Sequence, residues 1–136
     1  MNEQGTLVDS NVLLDIVTDD SEWRDWSASM VEMAMEDGRL YINPIIYAEV
    51  SVQFGTIEEL EDALPLRFCR RVDLPWSAAF LAGKAHLAYR RRGGTRTSTL
   101  PDFYIGAHAA VAGFTLLTRD ARRYREYFPT LKLIAP

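Results

Sequence analysis

Apolar and polar positions along the chain switch repeatedly between a strand period and a helix period. Gly5 precedes the unbroken run Thr6-Leu7-Val8, which Asp9-Ser10-Asn11 closes; this predicts a short buried strand. Trp23, Trp26, Met30, Met33 and Ala34 then recur at helical spacing until Gly38, and Asp19 with Glu22 three residues on resembles a capping box for that helix. These apolar residues serve a core or an interface. Leu40-Tyr41-Ile42 predicts a second strand, and Asn43-Pro44 opens a helix to Gln53 with proline in its first turn. Thr56 and Glu59 form another capping box, for a short acidic helix that ends before Pro65. Leu66, Phe68 and Val72 alternate as a strand does.

Pro75 opens a long helix through Ala79, Phe80, Gly83, Leu87 and Tyr89. It closes in Arg90-Arg91-Arg92, where cations suit the negative end of the helix dipole. After the polar loop Gly93–Thr99, Thr99-Leu100-Pro101-Asp102 starts an almost wholly apolar helix to Ala112, with Gly113 as its stop. Phe114–Leu117 predicts a buried strand, Asp120–Tyr127 a short helix and Leu131–Ile134 a final strand. Strands alternating with helices imply an α/β fold, with a parallel sheet covered by helices on both faces. No linker or repeat divides residues 1–136, which are expected to form a single domain.

Composition narrows the class. The 136 residues are 48% hydrophobic and 11% aromatic, which suits a globular domain and not a disordered chain. No apolar run approaches the roughly 20 residues of a membrane helix. The opening Met1–Gly5 is polar, without a positive start or an apolar signal core. One cysteine, Cys69, excludes an internal disulfide and fits a reducing cytoplasm. With two histidines and no cysteine pair, a zinc site of the usual ligand types is not expected. His86 and His108 lie on apolar helices and are expected in the core.

The net charge of −4 conceals an uneven distribution. Residues 1–66 carry 15 acidic and two basic residues; residues 67–136 carry four acidic and 13 basic, of which only Lys84 and Lys132 are lysine. Arginine's planar fork suits phosphate. An acidic chain with a basic half therefore remains compatible with a nucleic-acid substrate, and equally with a plain solvated basic surface.

Against this background three carboxylates stand isolated. Asp9 ends the first strand, Glu49 is the only charge between Arg39 and Glu58, and Asp102 is the only charge between Arg96 and Arg119. A fourth, Asp120, follows the run Phe114–Thr118. Buried ionised carboxylates are paired or bind cations, and these segments hold too few basic residues to pair all four. In open parallel sheets, ligands bind beyond the carboxyl ends of the strands, where Asp9 and Asp120 are placed. Oxygen ligands without histidine or thiolate describe a hard-cation site for Mg²⁺ or Mn²⁺. Each acid also has a plainer role: Asp102 as a helix-start residue, Asp120 as a helix cap and Asp9 as an Asx turn. A lone mid-helix acid such as Glu49 has no such structural duty. Asp15, Asp19 and Asp20 stand in polar surroundings and are expected to be solvated.

Taken in order, Val8-Asp9-Ser10-Asn11-Val12-Leu13-Leu14-Asp15, Tyr47-Ala48-Glu49-Val50, Leu100-Pro101-Asp102-Phe103-Tyr104-Ile105-Gly106-Ala107-His108-Ala109 and Leu116-Leu117-Thr118-Arg119-Asp120 resemble the PIN domain. The spacing, and the closing Tyr127-Phe128-Pro129, resemble its toxin branch, the VapC ribonucleases of type II toxin–antitoxin modules. The resemblance spans essentially the whole chain. It implies a three-layer α/β/α sandwich and a Mg²⁺- or Mn²⁺-dependent endoribonuclease. Asp9, Glu49, Asp102 and Asp120 would then be the catalytic quartet that holds the metal, with Asn11 and Thr118 supporting it by hydrogen bonding. It further implies a homodimer and a small antitoxin whose C-terminal segment blocks the groove. The segment Arg90, Arg91, Arg92 and Arg96, with Arg119, is assigned to RNA contact.

Other acid-bearing folds fit less well. A phosphate-accepting receiver domain needs paired acids after the first strand and a lysine after the last, whereas Asp9 is followed by Ser10 and Lys132 lies within the last strand. A haloacid-dehalogenase-type phosphatase needs two aspartates one residue apart, where this chain has Asp9 and Asn11. A non-catalytic PIN-like scaffold for RNA or protein, a housekeeping PIN nuclease outside any toxin pair, and a DNA-cleaving nuclease stay open as alternatives.

Overall fold

A computed structural model describes residues 4–63, 68–96 and 99–136. Its sheet comprises β1 (Thr6–Val8), β2 (Leu40–Ile42), β3 (Arg70–Arg71), β4 (Thr115–Leu117) and β5 (Leu133–Ile134). The strand order is β3-β2-β1-β4-β5, and every pairing is parallel. Leu7 sits between Tyr41 and Leu116 in the register. Parallel strands need long crossovers, which α1 (Ser10–Val17), α2 (Arg24–Asp37), α3 (Pro44–Ser51), α4 (Ile57–Ala63), α5 (Trp76–Arg91), α6 (Leu100–Ala112) and α7 (Arg122–Tyr127) supply. Right-handed crossovers throw the connections running towards β3 and those running towards β5 onto opposite faces of the sheet, which gives the three-layer α/β/α arrangement. Among the described residues no helix is long and apolar enough to cross a membrane.

The core is what the apolar runs dictate. Leu7, Val8, Leu116 and Leu117 of the central strands are fully buried, as are Ile46, Val50, Phe103 and Ile105 from the helices. Burial of both sheet faces explains why β1 and β4 read as continuous apolar runs and not as alternating ones. Gly113 ends α6 at φ +75°, a left-handed conformation that glycine adopts without a Cβ penalty, and its N–H closes on Ala109.

Three local expectations needed correction. The pattern places Ser10-Asn11 just past a strand's end, yet the chain enters α1 there, with Asp9 as its cap accepting from the Ser10 N–H at 2.7 Å. Tertiary burial of Val12 and Leu13 outweighs the modest helix propensity of that opening. The expected capping box at Asp19 does not form: α2 starts at Arg24 with Trp23 at its N-cap and no side-chain cap bond. It is Asp20 that closes the preceding turn, its carboxylate accepting from the N–H groups of Glu22 and Trp23 at 3.1 and 2.8 Å. Asp19 instead takes φ +53°, a left-handed turn position that aspartate tolerates. The strand expected within residues 66–74 contracts to Arg70–Arg71, since only there does the chain pair with β2; Leu66 lies outside the described residues, as does the Leu64-Pro65 end of the acidic helix. The two later caps form as expected. Asn43 accepts from the Ile46 N–H at 2.9 Å, and Thr56 from that of Glu59 at 3.2 Å.

Candidate active site

The strand order reverses direction between β1 and β4, because β2 and β3 extend to one side and β4 and β5 to the other. A crevice opens beyond the carboxyl ends of strands at such a point, and loops leading away from it can carry ligands. Asp9 directly follows β1, and Asp120 lies three residues beyond β4. Their two segments are stitched together: the Asp9 N–H donates to Leu117 O at 2.9 Å, and Asn11 Oδ1 accepts from the Arg119 N–H at 3.1 Å.

Asp9 is 4% exposed and fully engaged. Its Oδ2 accepts from Thr118 Oγ1 at 2.8 Å and from the Tyr124 phenol at 3.0 Å, while Oδ1 takes the Ser10 N–H. Burial nevertheless pushes its pKa up to about 6, assisted by the charge of Asp102 and opposed by those hydrogen bonds. Desolvation outweighs three donors.

Glu49, one and a half turns into α3, accepts from Ser10 Oγ at 2.9 Å. Burial, and then Asp102, raise its pKa while the Ser10 bond lowers it. Ser10 thus joins α1 to two of the acids, donating its backbone N–H to Asp9 and its hydroxyl to Glu49.

Asp102, in the first turn of α6, receives Arg123 Nη1 at 2.6 Å. Burial raises its pKa, Arg123 lowers it, the Asp120 charge raises it and Arg96 lowers it. Asp120 itself is exposed and precedes α7, whose cap carries no side-chain hydrogen bond, so capping does not account for it. Asp102 is the electrostatic hub, since its charge acts on Asp9 and on Glu49 and feels that of Asp120.

Thr118 hydrogen-bonds Asp9 directly, accepts from the Asp120 N–H at 3.2 Å and lies 3.4 Å from Asn11 Nδ2. The sequence missed three partners of the acids: Ser10, Tyr124 and Arg123. Burial and the charges of Asp9, Asp102 and Glu49 hold the Tyr124 hydroxyl well above its ordinary range, so it stays a donor. On α7 the run Arg122-Arg123-Tyr124-Arg125 reads as plain surface, and only the tertiary fold turns its third residue inwards.

Asp15 corrects an expectation. It is 3% exposed, not solvated, because α1 aims it at α2, where Ser27 Oγ donates to it at 2.7 Å. Arg119 Nε lies 3.1 Å from the same carboxylate, and its guanidinium sits 5.4 Å over the Trp23 ring. Arg119, assigned to RNA, is thus already engaged in this ion pair. Arg90 and Arg91 are exposed at the end of α5; Arg92 bonds Glu126 at 3.1 Å and covers the Tyr127 ring. His108 is buried as expected, sharing a hydrogen bond of 3.0 Å with Asn43 Nδ2, and burial lowers its pKa. Burial pushes the Cys69 thiol up to about 11.

The acids do not form a ready-made cage. Among the described residues no three histidine, cysteine, aspartate or glutamate side chains lie close enough together to hold one ion. The acids themselves offer the oxygen donors a hard divalent cation takes, with neither histidine nor thiolate among them. The charge of Asp102 raises the pKa values of Asp9 and Glu49, while Arg123 already occupies one oxygen of Asp102.

The PIN domain family matches residues 6–128. The chain belongs to this family. No curated protein matches it in sequence. Among solved structures, this PIN domain superposes on a chain of VapBC2 from Rickettsia felis with a TM-score of 0.72 at 18% identity, covering 96% of this chain and 97% of that one. VapBC-1 from nontypeable Haemophilus influenzae gives 0.71 at 16%, covering 96% of each chain. A toxin–antitoxin complex from Klebsiella pneumoniae gives 0.66 at 20%, again over 96% of each. At such identities these likenesses speak for the fold.

Proposed function

We propose that the chain is a Mg²⁺- or Mn²⁺-dependent endoribonuclease, the toxin of a VapBC-type pair, working in the cytoplasm as a homodimer held in check by a small antitoxin. What supports this reading is the family membership together with the placement of Asp9 and Asp120 just beyond β1 and β4, and the charge of Asp102, which acts on Asp9 and Glu49 and feels that of Asp120. These four residues would hold the cation, their oxygens drawing together around it. A divalent ion in such a site activates water for in-line attack and offsets charge building on the phosphate. The protein's part is positioning. Thr118 and Tyr124 fix the Asp9 carboxylate, Ser10 fixes Glu49, and Arg123 holds Asp102 beside the arginines that would face the RNA backbone.

The test is cleavage of RNA by the purified chain with Mn²⁺ or Mg²⁺. Excess chelator, Asp9→Asn and Asp102→Asn are each expected to abolish it with the circular dichroism spectrum unchanged; activity persisting in chelator sinks the reading. The toxin role is tested by expressing the chain with and without the neighbouring upstream reading frame. Growth arrest relieved by that partner supports it, and growth indifferent to both refutes it.

A further inference from the structure

Beside Asp120, a cavity of about 360 Å³ opens between α5, the segment after it and α7, within the size range of small-ligand pockets. Tyr89 and Tyr127 supply its aromatic wall, with ring centroids 6.1 Å apart in an edge-to-face arrangement. Arg96, Arg122 and Arg123 supply its charge, against Asp120 and Glu126. That charge is unevenly committed: Glu126 is neutralised by Arg92, and Arg123 by Asp102. Among the described residues Arg96 and Arg122 hold no ion pair.

Arg96 is not a loose surface group. Its backbone N–H donates to the Tyr89 hydroxyl at 3.2 Å. Gly94 lies so close to the face of the same ring that any Cβ there would overlap it. The segment after α5 is thereby folded back onto its own helix, and Arg96 is held at the cavity. Unpaired guanidinium groups recognise phosphate through a planar fork, and aromatic walls accept bases of any sequence.

We propose that this cavity is the subsite for the nucleotide adjoining the cleaved linkage, taking its phosphate on Arg96 and Arg122 and its base at Tyr127 in place of the Arg92 guanidinium that covers that ring. The proposal rests on the ribonuclease reading above and adds to it the place where the substrate's neighbouring residue is gripped. Tyr89 acts as a positioning residue for Arg96.

The experiment is fluorescence anisotropy of a labelled single-stranded RNA oligonucleotide with the full chain in chelator, where cleavage is off. Arg96→Ala and Arg122→Ala are each expected to weaken binding about tenfold, and to lower the slope of log affinity against log salt by about one. Tyr127→Ala is expected to weaken binding with the slope unchanged, and Tyr127→Phe to restore it. Tyr89→Phe keeps the ring but not the bond to Arg96, and should reproduce part of the Arg96→Ala loss. The proposal is overturned if both arginine variants bind within twofold of wild type at an unchanged slope. It is overturned equally if wild type binds no RNA, or if the pocket variants lose affinity for a polyglutamate peptide but not for RNA. Binding that depends on the pocket, in a chain that never cuts with Mn²⁺, would uphold the cavity as a nucleotide-binding site and refute the ribonuclease reading instead.

Discussion

The hydroxyl of Tyr124 donates to Oδ2 of Asp9 at 3.0 Å, joining residues 115 positions apart and locking α7 onto the end of β1. It lowers the Asp9 pKa, so it favours the charged carboxylate that cation binding requires. Tyr124→Phe keeps the packed ring and removes this bond. We expect Mn²⁺ affinity to fall about tenfold, in the range seen when groups supporting metal ligands are removed. Folding stability should fall by only about 1 kcal/mol. Titration calorimetry and urea unfolding measure the two; unchanged metal affinity would place Tyr124 in packing alone.

Asp9 should make the ion-free fold less stable as pH rises. Its folded pKa of about 6 exceeds the ordinary 3.8, so the folded state binds the proton more tightly. The associated stability is complete below about pH 4 and is lost as pH rises through about 6. A shift of about two units corresponds to roughly 3 kcal/mol. In chelator at pH 7.5, Asp9→Asn should therefore be the more stable protein, by about 1–3 kcal/mol once the amide's poorer fit to the surrounding donors is discounted. The gap should narrow towards pH 4. A gap of the same size at both pH values, in urea unfolding, would show that buried charge is not its cause.

The acids were legible because each interrupts an apolar stretch, and charge in such a place stands out against the strand and helix periods. Their supports were not. Ser10 resembled a turn residue and turned out to open α1; Arg123 and Tyr124 sit in a run of polar and charged residues whose inward member only the crossover from β4 to β5 decides. Asp15 failed for the same reason. Once α1 was not foreseen, nothing along the sequence indicated that this carboxylate faces Ser27 and Arg119. The layer architecture and strand alternation were readable because they depend on period. The capping box expected at Asp19 is replaced by a turn closed by Asp20, because either aspartate satisfies the same local pattern and the left-handed turn at Asp19 selects between them, so that α2 starts only at Arg24.

Arg119 gives a prediction that separates structure from RNA contact. Its Nε faces Asp15, which is almost wholly buried and has Ser27 as its other partner. Arg119→Ala leaves that carboxylate with Ser27 alone and should cost about 1 kcal/mol, the partial exposure of Arg119 screening the pair. Well below the melting temperature, kcat and KM for RNA cleavage should stay within about twofold of wild type, since discounting the ion pair leaves little for a rim cation to add. A raised KM at unchanged stability would return Arg119 to the substrate.

Asn43 performs two tasks with one amide. Its Oδ1 caps α3 through the Ile46 N–H at 2.9 Å, while its Nδ2 meets His108 Nδ1 at 3.0 Å in the core. The amide must donate, so the ring nitrogen facing it accepts, and burial keeps His108 neutral by lowering its pKa. Asn43→Ala removes a cap worth about 1 kcal/mol and leaves a buried ring nitrogen without its donor, for a total near 2–3 kcal/mol. Asn43→Asp keeps the cap but offers no donor to His108 unless one of the pair takes up a proton. Of the two, Asn43→Asp should thus show the steeper rise in stability as pH falls from 7 towards 5, while Asn43→Ala keeps only the rise that Asp9 causes in both. Parallel thermal melts across that range decide it: an Asn43→Asp protein whose melting temperature rises no more steeply than that of Asn43→Ala would mean that the ring and the cap are energetically independent.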